Sequence, residues 1–237
     1  MSPERRAELE RRLHQVRERI AKAAVAAGRA PEEVELLAVT KTIPASDVIA
    51  LADLGVRDFA ENRAQEATHK VEEIRAARPD LELRWHFIGG LQRNKVRLVI
   101  PWVTRVETVD SPRLAAALDG EAARRGTPLP VLVQYSVDGD PTRGGVSDAG
   151  LLDLAAQVAE ARSLVLEGLL SVAPLDADDE ESFAAIEAAG RRLRAAHPAA
   201  TVLSAGMSGD LEVAIRHGST VARVGTALVG DRRLTSR

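Results

Sequence analysis

A chain of 237 residues, 45% of them hydrophobic and 28% charged, is long and apolar enough to bury a large core, which excludes a disordered tail protein. It has no cysteine, which excludes disulfides, thiolate nucleophiles and cysteine metal sites. The formal net charge of −3 argues against a nucleic-acid binder, and the positive charge is almost all arginine: of 32 basic residues only Lys22, Lys41, Lys70 and Lys95 are lysines.

In chain order, the first segment is highly charged and lacks the apolar stretch of a signal peptide. No run of about 18 apolar residues occurs anywhere, so a cytoplasmic protein with no membrane contact is expected. Ser2-Pro3-Glu4 reads as an N-cap, a first-turn proline and a first-turn acid. Leu9, Leu13, Val16, Ile20, Ala24 and Ala27 then recur at helical spacing, and Gly28 stops the helix. Its Arg/Glu-rich side reads as a solvated face. Asp231–Arg237 is expected to be a frayed tail.

Between these ends, short apolar runs alternate with amphipathic ones. The apolar runs are Glu35–Thr40, Val56–Ala60, Leu83–Ile88, Val103–Thr108, Leu129–Val137, Leu164–Leu170, Thr201–Ser204 and Thr220–Val224. The helical patterns are Ala45–Leu54, Ala64–Ala77, Leu91–Val99, Arg113–Arg125, Leu151–Glu160, Glu180–His197 and Leu211–His217. Such alternation implies βαβ units and a parallel sheet. Eight of them at this length predict a (β/α)8 TIM barrel in a single domain over residues 1–237, with an extra N-terminal helix. A doubly wound open sheet is the alternative. Its G-x-G-x-x-G signature is missing, because the first strand ends in Thr40-Lys41-Thr42.

Barrel enzymes place their chemistry at the C-terminal ends of strands. Lys41 follows the uncharged run LLAVT. Burial penalises the ammonium form of a lysine, and a neutral amine attacks aldehydes to form a Schiff base. The plainer reading is a lysine snorkelling to solvent, but arginine replaces lysine on surfaces and cannot do so in imine chemistry. Glu61 and Asn62 follow the second strand, and His86 and Gly89-Gly90 belong to the third. Ser136, Asp138 and Asp140 follow the fifth, and Ser171 the sixth. The seventh opens into Ala205-Gly206-Met207-Ser208-Gly209-Asp210, with Ser208 expected to cap the next helix. The eighth gives Arg223-Val224-Gly225-Thr226. Barrels frequently bind phosphate at these last two loops. Ordinary βα turns explain the same residues, and Asp210 competes for the same helix end. Arg223 is expected to be the only cation close to both loops. A lysine and a phosphate site together call for a phosphorylated aldehyde: pyridoxal 5′-phosphate (PLP), or a sugar phosphate in a Schiff-base enzyme.

The segments LLAVTKTIP, FAENRAQEA, WHFIGGLQRNK, EGLLSVAP and LSAGMSGDLEVAIRHGSTVARVGTALVG occur in this order. Together they closely resemble the pyridoxal phosphate homeostasis protein family, a single-domain relative of the alanine racemase N-terminal barrel, over roughly residues 10–230. The resemblance implies that Lys41 is the PLP lysine and that Met207, Ser208, Gly225 and Thr226 hold the phosphate. Arg223 would face the pyridine nitrogen and leave it unprotonated, and Asn62 would lie near the ring. His86 lies in a family motif and is expected to have a structural hydrogen-bond role. Departures from the family pattern are Ala60, Ala205 and the segment Ser136–Gly145, where Arg143 stands in place of a lysine.

A racemase needs an acid or base on each face of its substrate, the second being a tyrosine in alanine racemases. The only tyrosine, Tyr135, is expected to pack within the fifth strand. The expectation is therefore a non-catalytic PLP-binding protein, acting in PLP (vitamin B6) and amino-acid homeostasis by holding PLP as a reversible lysine imine. Its partners would be PLP and apo-enzymes as recipients, with no metal. A monomer is expected. A racemase-like enzyme and a Schiff-base enzyme on a sugar phosphate are the alternatives. Lys95 is assigned to a structural or partner role, and Lys22 and Lys70 are read as incidental.

Overall fold

The computed structural model describes residues 1–140, 144–174 and 179–230. Eight parallel strands close into a barrel in chain order. They are β1 (Glu35–Val39), β2 (Asp58–Glu61), β3 (Arg84–Phe87), β4 (Arg105–Val109), β5 (Leu129–Tyr135), β6 (Leu164–Ser171), β7 (Val202–Ser204) and β8 (Val221–Val224). Closure is made by β8 against β1, with Leu37 beside Arg223 and Ala38 beside Val224. The connecting helices are α2 (Ala45–Asp53), α3 (Ala64–Ala77), α4 (Val96–Val99), α5 (Pro112–Arg125), α6 (Leu151–Glu160), α7 (Asp179–Ala196) and α8 (Leu211–Arg216); α1 (Pro3–Ala26) precedes the barrel and α9 (Thr226–Val229) follows β8. The architecture is the expected (β/α)8 barrel with an added N-terminal helix. Among the described residues, no helix is long and apolar enough to cross a membrane.

Helix α1 starts and stops as its sequence dictates. Ser2 Oγ accepts the Arg5 N–H at 3.3 Å, Pro3 opens the helix and Gly28 turns the chain at φ +71°. Leu9, Leu13, Val16 and Ile20 are buried. The charged side is more than a solvated face. Arg5 Nη2 pairs with Asp47 of α2 at 2.7 Å and donates to the Val229 carbonyl at 2.9 Å. Arg19 Nε pairs with Glu212 of α8 at 2.8 Å. Ion pairs thus lash α1 to α2 and α8, and a backbone contact ties it to α9.

Three other local expectations shift. The helix expected over Leu91–Val99 is a single turn, Val96–Val99, preceded by a 3₁₀ turn at Arg93–Lys95. Strand β5 ends at Tyr135 because a returning loop takes the next bonds: Val146 N–H donates to Gln134 O at 2.8 Å and Ser136 N–H to Val146 O at 2.9 Å. The turn α9 had no periodic signal and forms by closure on the Gly225 carbonyl. Arg143 and the tail Asp231–Arg237 lie outside the described residues.

The core has two layers. Between barrel and helices lies a continuous apolar layer that includes Leu51, Phe59, Val71, Leu118 and Phe183. Inside the barrel a smaller cluster comprises Leu37, Val39, Ala60 and Val221. Side chains alternate across a strand, so the same faces carry Glu35 and Leu37, Asp58 and Ala60, Val221 and Arg223. The interior is therefore apolar in one layer and strongly polar beside it: Asp58, His86, Arg105, Glu107, Ser204 and Arg223 are all buried.

Candidate functional site

Lys41 lies two residues past Val39, the last residue of β1. It sits half-buried in the turn after β1. Its neighbour Thr42 has φ +72°, the left-handed region that a β-branched residue adopts only under strain. The turn closes by Ile43 N–H donating to Thr40 O at 3.3 Å.

A second lysine, not singled out from the sequence, holds the residue before Lys41. Lys70, on α3, is buried; its Nζ donates to Thr40 O at 2.7 Å and to Glu61 Oε1 at 2.7 Å. Thr40 Oγ1 donates to the same Glu61 oxygen at 2.9 Å. Lys70 is therefore not incidental. It pins the last residue before Lys41 to the end of β2. The scarcity of lysine was the available signal, but helical placement hid it, since helical lysines are usually solvated.

Asn62, half-buried, follows Glu61. A Cβ on Gly89 would stand 2.1 Å from the Asn62 carbonyl oxygen, so only glycine lets the β3 loop press on it. Thr108 Oγ1 donates to Gly89 O at 2.6 Å and holds that loop from β4.

The β7 and β8 loops meet. Ser208 Oγ accepts the Ala227 N–H at 3.3 Å, which links the segment carrying Met207 and Ser208 to the one carrying Gly225 and Thr226. Ser208 is not the cap of α8; that position is Asp210. Asp210 does not cap the helix with its side chain either, and accepts the Met207 N–H instead. Gly206 at φ +86° makes the turn, and a Cβ there would meet Ala214 at 2.5 Å. A Cβ on Gly225 would lie 3.5 Å from Val39 Cβ, which brings the β8 loop against the end of β1. Arg223 is not the only cation nearby: Arg19 Nη2 donates to Ser208 O at 3.1 Å.

Arg223 is 4% exposed. Its Nη1 donates to Ser204 O at 2.5 Å and Ser204 Oγ at 3.0 Å, and its Nη2 to Ser171 O at 2.8 Å. Burial pushes the guanidinium down from its usual range, while the charges of Glu107 and Asp210 oppose that shift. Ser204 Oγ donates to Glu107 Oε2 at 2.6 Å. Glu107 Oε1 lies 2.6 Å from His86 Nδ1 and accepts from Arg105 Nε at 3.3 Å. Burial alone would raise Glu107; its hydrogen bond with His86, the charges of His86 and Arg105 and the Ser204 hydroxyl bring it down to about 2. His86 is raised: burial works against its charged form, and hydrogen bonds with Asp58 and Glu107 outweigh it. Asp58 is held low by His86 and Arg84 against its own burial, and Glu35 is raised by burial and by Asp58. His86 thus has the structural hydrogen-bond role expected of it.

Tyr135 is buried and donates its hydroxyl to Asp148 at 3.3 Å. Ser171 Oγ donates to Tyr135 O at 2.9 Å, and Ser136 Oγ to Asp138 at 3.1 Å.

The donor set at the mouth can therefore engage three kinds of group: an amine for a carbonyl, a buried guanidinium for an aromatic nitrogen, and hydroxyl and backbone groups for a phosphate. The model of the alanine racemase N-terminal domain matches residues 12–233. A pyridoxal phosphate homeostasis protein of Mycobacterium tuberculosis is 46% identical, covering 99% of this chain and 96% of its own. The chain belongs to the pyridoxal phosphate homeostasis protein family. An Escherichia coli K12 member is 40% identical over 93% of this chain and 95% of its own. The structure of PipY from Synechococcus elongatus PCC7942 with PLP bound superposes with a TM-score of 0.78 at 32% identity, covering 94% of this chain and all of PipY. Solved alanine racemases share the fold at much lower identity; that of Corynebacterium glutamicum has a TM-score of 0.67 at 15% identity.

Proposed function

We propose that this chain binds PLP reversibly at the barrel mouth and serves PLP supply and homeostasis. The observation that carries this reading is the β1–β8 junction. There Gly225 packs against Val39, two residues before the half-buried Lys41, with Ser208 tied to the β8 loop and Arg223 buried within β8, an arrangement that supports one shared site. The family's named PLP proteins and the PLP-bound PipY support it. PLP supplies an electrophilic aldehyde, a pyridine ring and a phosphate when bound. Lys41 provides the amine for the aldehyde, Asn62 lines the ring, and Arg223 offers N–H groups to the ring nitrogen. Met207, Ser208, Gly225 and Thr226 hold the phosphate. Arginine keeps its own proton, so it leaves the ring nitrogen unprotonated and the ring a weak electron sink.

A carrying role without turnover follows from the same residues. The chain's single tyrosine gives its hydroxyl to Asp148, and a racemase needs a second acid or base opposite the lysine. Apo-enzymes that need PLP are the recipients, and a cytoplasmic monomer is the form in which we place this activity.

Purified protein mixed with PLP should develop an absorption band distinct from free PLP. Lys41→Ala should not, and borohydride reduction should fix the label on Lys41 alone. A band that persists in Lys41→Ala would overturn the assignment. Amino-acid racemisation above the Lys41→Ala control would overturn the carrier role.

A further inference from the structure

The buried polar side chains inside the barrel form an unbroken line toward the site. Arg84 of β3 holds Asp58 of β2, with Nε 2.5 Å from Oδ1. Asp58 Oδ1 is 3.4 Å from His86 Nε2, His86 Nδ1 is 2.6 Å from Glu107 Oε1, and Glu107 Oε2 accepts from Ser204 Oγ at 2.6 Å. Ser204 Oγ in turn accepts from Arg223. Arg105 flanks the line, with Nη1 donating to Glu167 at 2.9 Å and Nη2 3.9 Å from Glu35.

Two features give this line a direction. A serine hydroxyl has one proton. Ser204 spends it on the ionised Glu107, so only lone pairs face Arg223. Among the described residues Arg223 meets no carboxylate within hydrogen-bond reach, so the negative charge that faces it stands one hydroxyl away. That arrangement holds the guanidinium in place, with both terminal nitrogens used on the barrel wall, without neutralising it by direct contact. Hydrophobic residues of the same volume are often as stable as a buried ion network or more so. A purely structural interior has no need of six linked polar groups where the adjoining layer is Leu37, Val39, Ala60 and Val221.

We infer that Ser204 and Glu107 are positioning residues for Arg223, fixing the plane and the donor character that it presents to the ring nitrogen of bound PLP, with His86 and Arg105 holding Glu107 in place by hydrogen bonds. The inference rests on the PLP reading above and assigns roles to side chains beyond the mouth.

The test compares PLP with its deaza analogue, in which a carbon replaces the ring nitrogen, on the full chain and on Ser204→Ala, Ser204→Thr and Glu107→Gln. Ser204→Ala deletes one oxygen and keeps the Ser204 carbonyl contact, so it retains the fold even if Glu107→Gln does not. Ser204→Ala should bind PLP about tenfold more weakly, the scale of one lost hydrogen bond to a charged group. It should also shift the absorption maximum of bound PLP while leaving affinity for the deaza analogue unchanged. Ser204→Thr, which keeps a hydroxyl, should restore both. Equal losses for PLP and analogue, or no loss and an unmoved spectrum, would overturn the inference and leave PLP binding intact. An unsubstituted chain that takes up no PLP would remove the reading beneath it, and the inference with it.

Discussion

Lys70 and Glu61 show how one side chain is set by what it must not leave behind. Glu61 is 1% exposed, and among the described residues its ion pair is with Lys70. Removing the lysine strands a buried carboxylate, which costs about 3–5 kcal/mol. Lys70→Met is expected to lower stability by that order in urea unfolding, and Lys70→Met with Glu61→Leu to recover a large part of it. If the single variant unfolds like the parent, the pair is not structural. Thr42 gives the opposite case. At φ +72° a threonine carries strain on the order of 1–3 kcal/mol, and glycine carries none there. Thr42→Gly is expected to raise Tm while loosening the turn that presents Lys41, so PLP should bind more weakly in the more stable protein. A lower Tm would show that the turn is unstrained.

Among the elements, α1 is the addition to the barrel, and its apolar stripe holds it there. Leu13 is 3% exposed, and truncating a buried leucine to alanine costs about 2–5 kcal/mol. Leu13→Ala is therefore expected to shift the urea midpoint strongly. The Arg19–Glu212 pair is over a third exposed on both sides, and exposed pairs contribute about 0–1 kcal/mol. Arg19→Ala should barely change stability. Because Arg19 also donates to the Ser208 carbonyl, it should raise the Kd for PLP. Titration with PLP separates the two effects. An unchanged Kd would mean that α1 braces the barrel and leaves the phosphate loops alone.

In the whole molecule, the interior polar line links stability to pH at both ends. Glu107 titrates near 2 in the folded chain against 4.5 ordinarily, so its contribution is complete above about pH 4.5 and is lost as pH falls toward 2. His86 is raised above 6.5, so its contribution is complete below that value and is lost as pH rises through the folded pKa. Thermal melts between about pH 3 and about pH 9 should show a plateau from roughly pH 4.5 to 6.5. Glu107→Gln should flatten the acid limb and His86→Gln the alkaline one. Limbs unchanged by either variant would place the titration elsewhere.

The alternation of apolar and amphipathic runs was enough to read eight βα units, because strand and helix periods are local properties of the chain. The strand list likewise put Lys41 and Arg223 at strand ends. The four-residue α4 was not legible, since a 3₁₀ turn takes the residues before it, nor was the α9 turn, which closes on Gly225 without a periodic signal. Nor were the partners of the buried charges. Glu107 meets Ser204 across 97 positions, and Lys70 meets the carbonyl of Thr40 across 30. By itself the sequence determined the barrel, its inward faces and the loops that form its mouth. The tertiary structure alone decided which buried charge answers which, because that choice depends on barrel closure and register, which bring distant strands within hydrogen-bond reach.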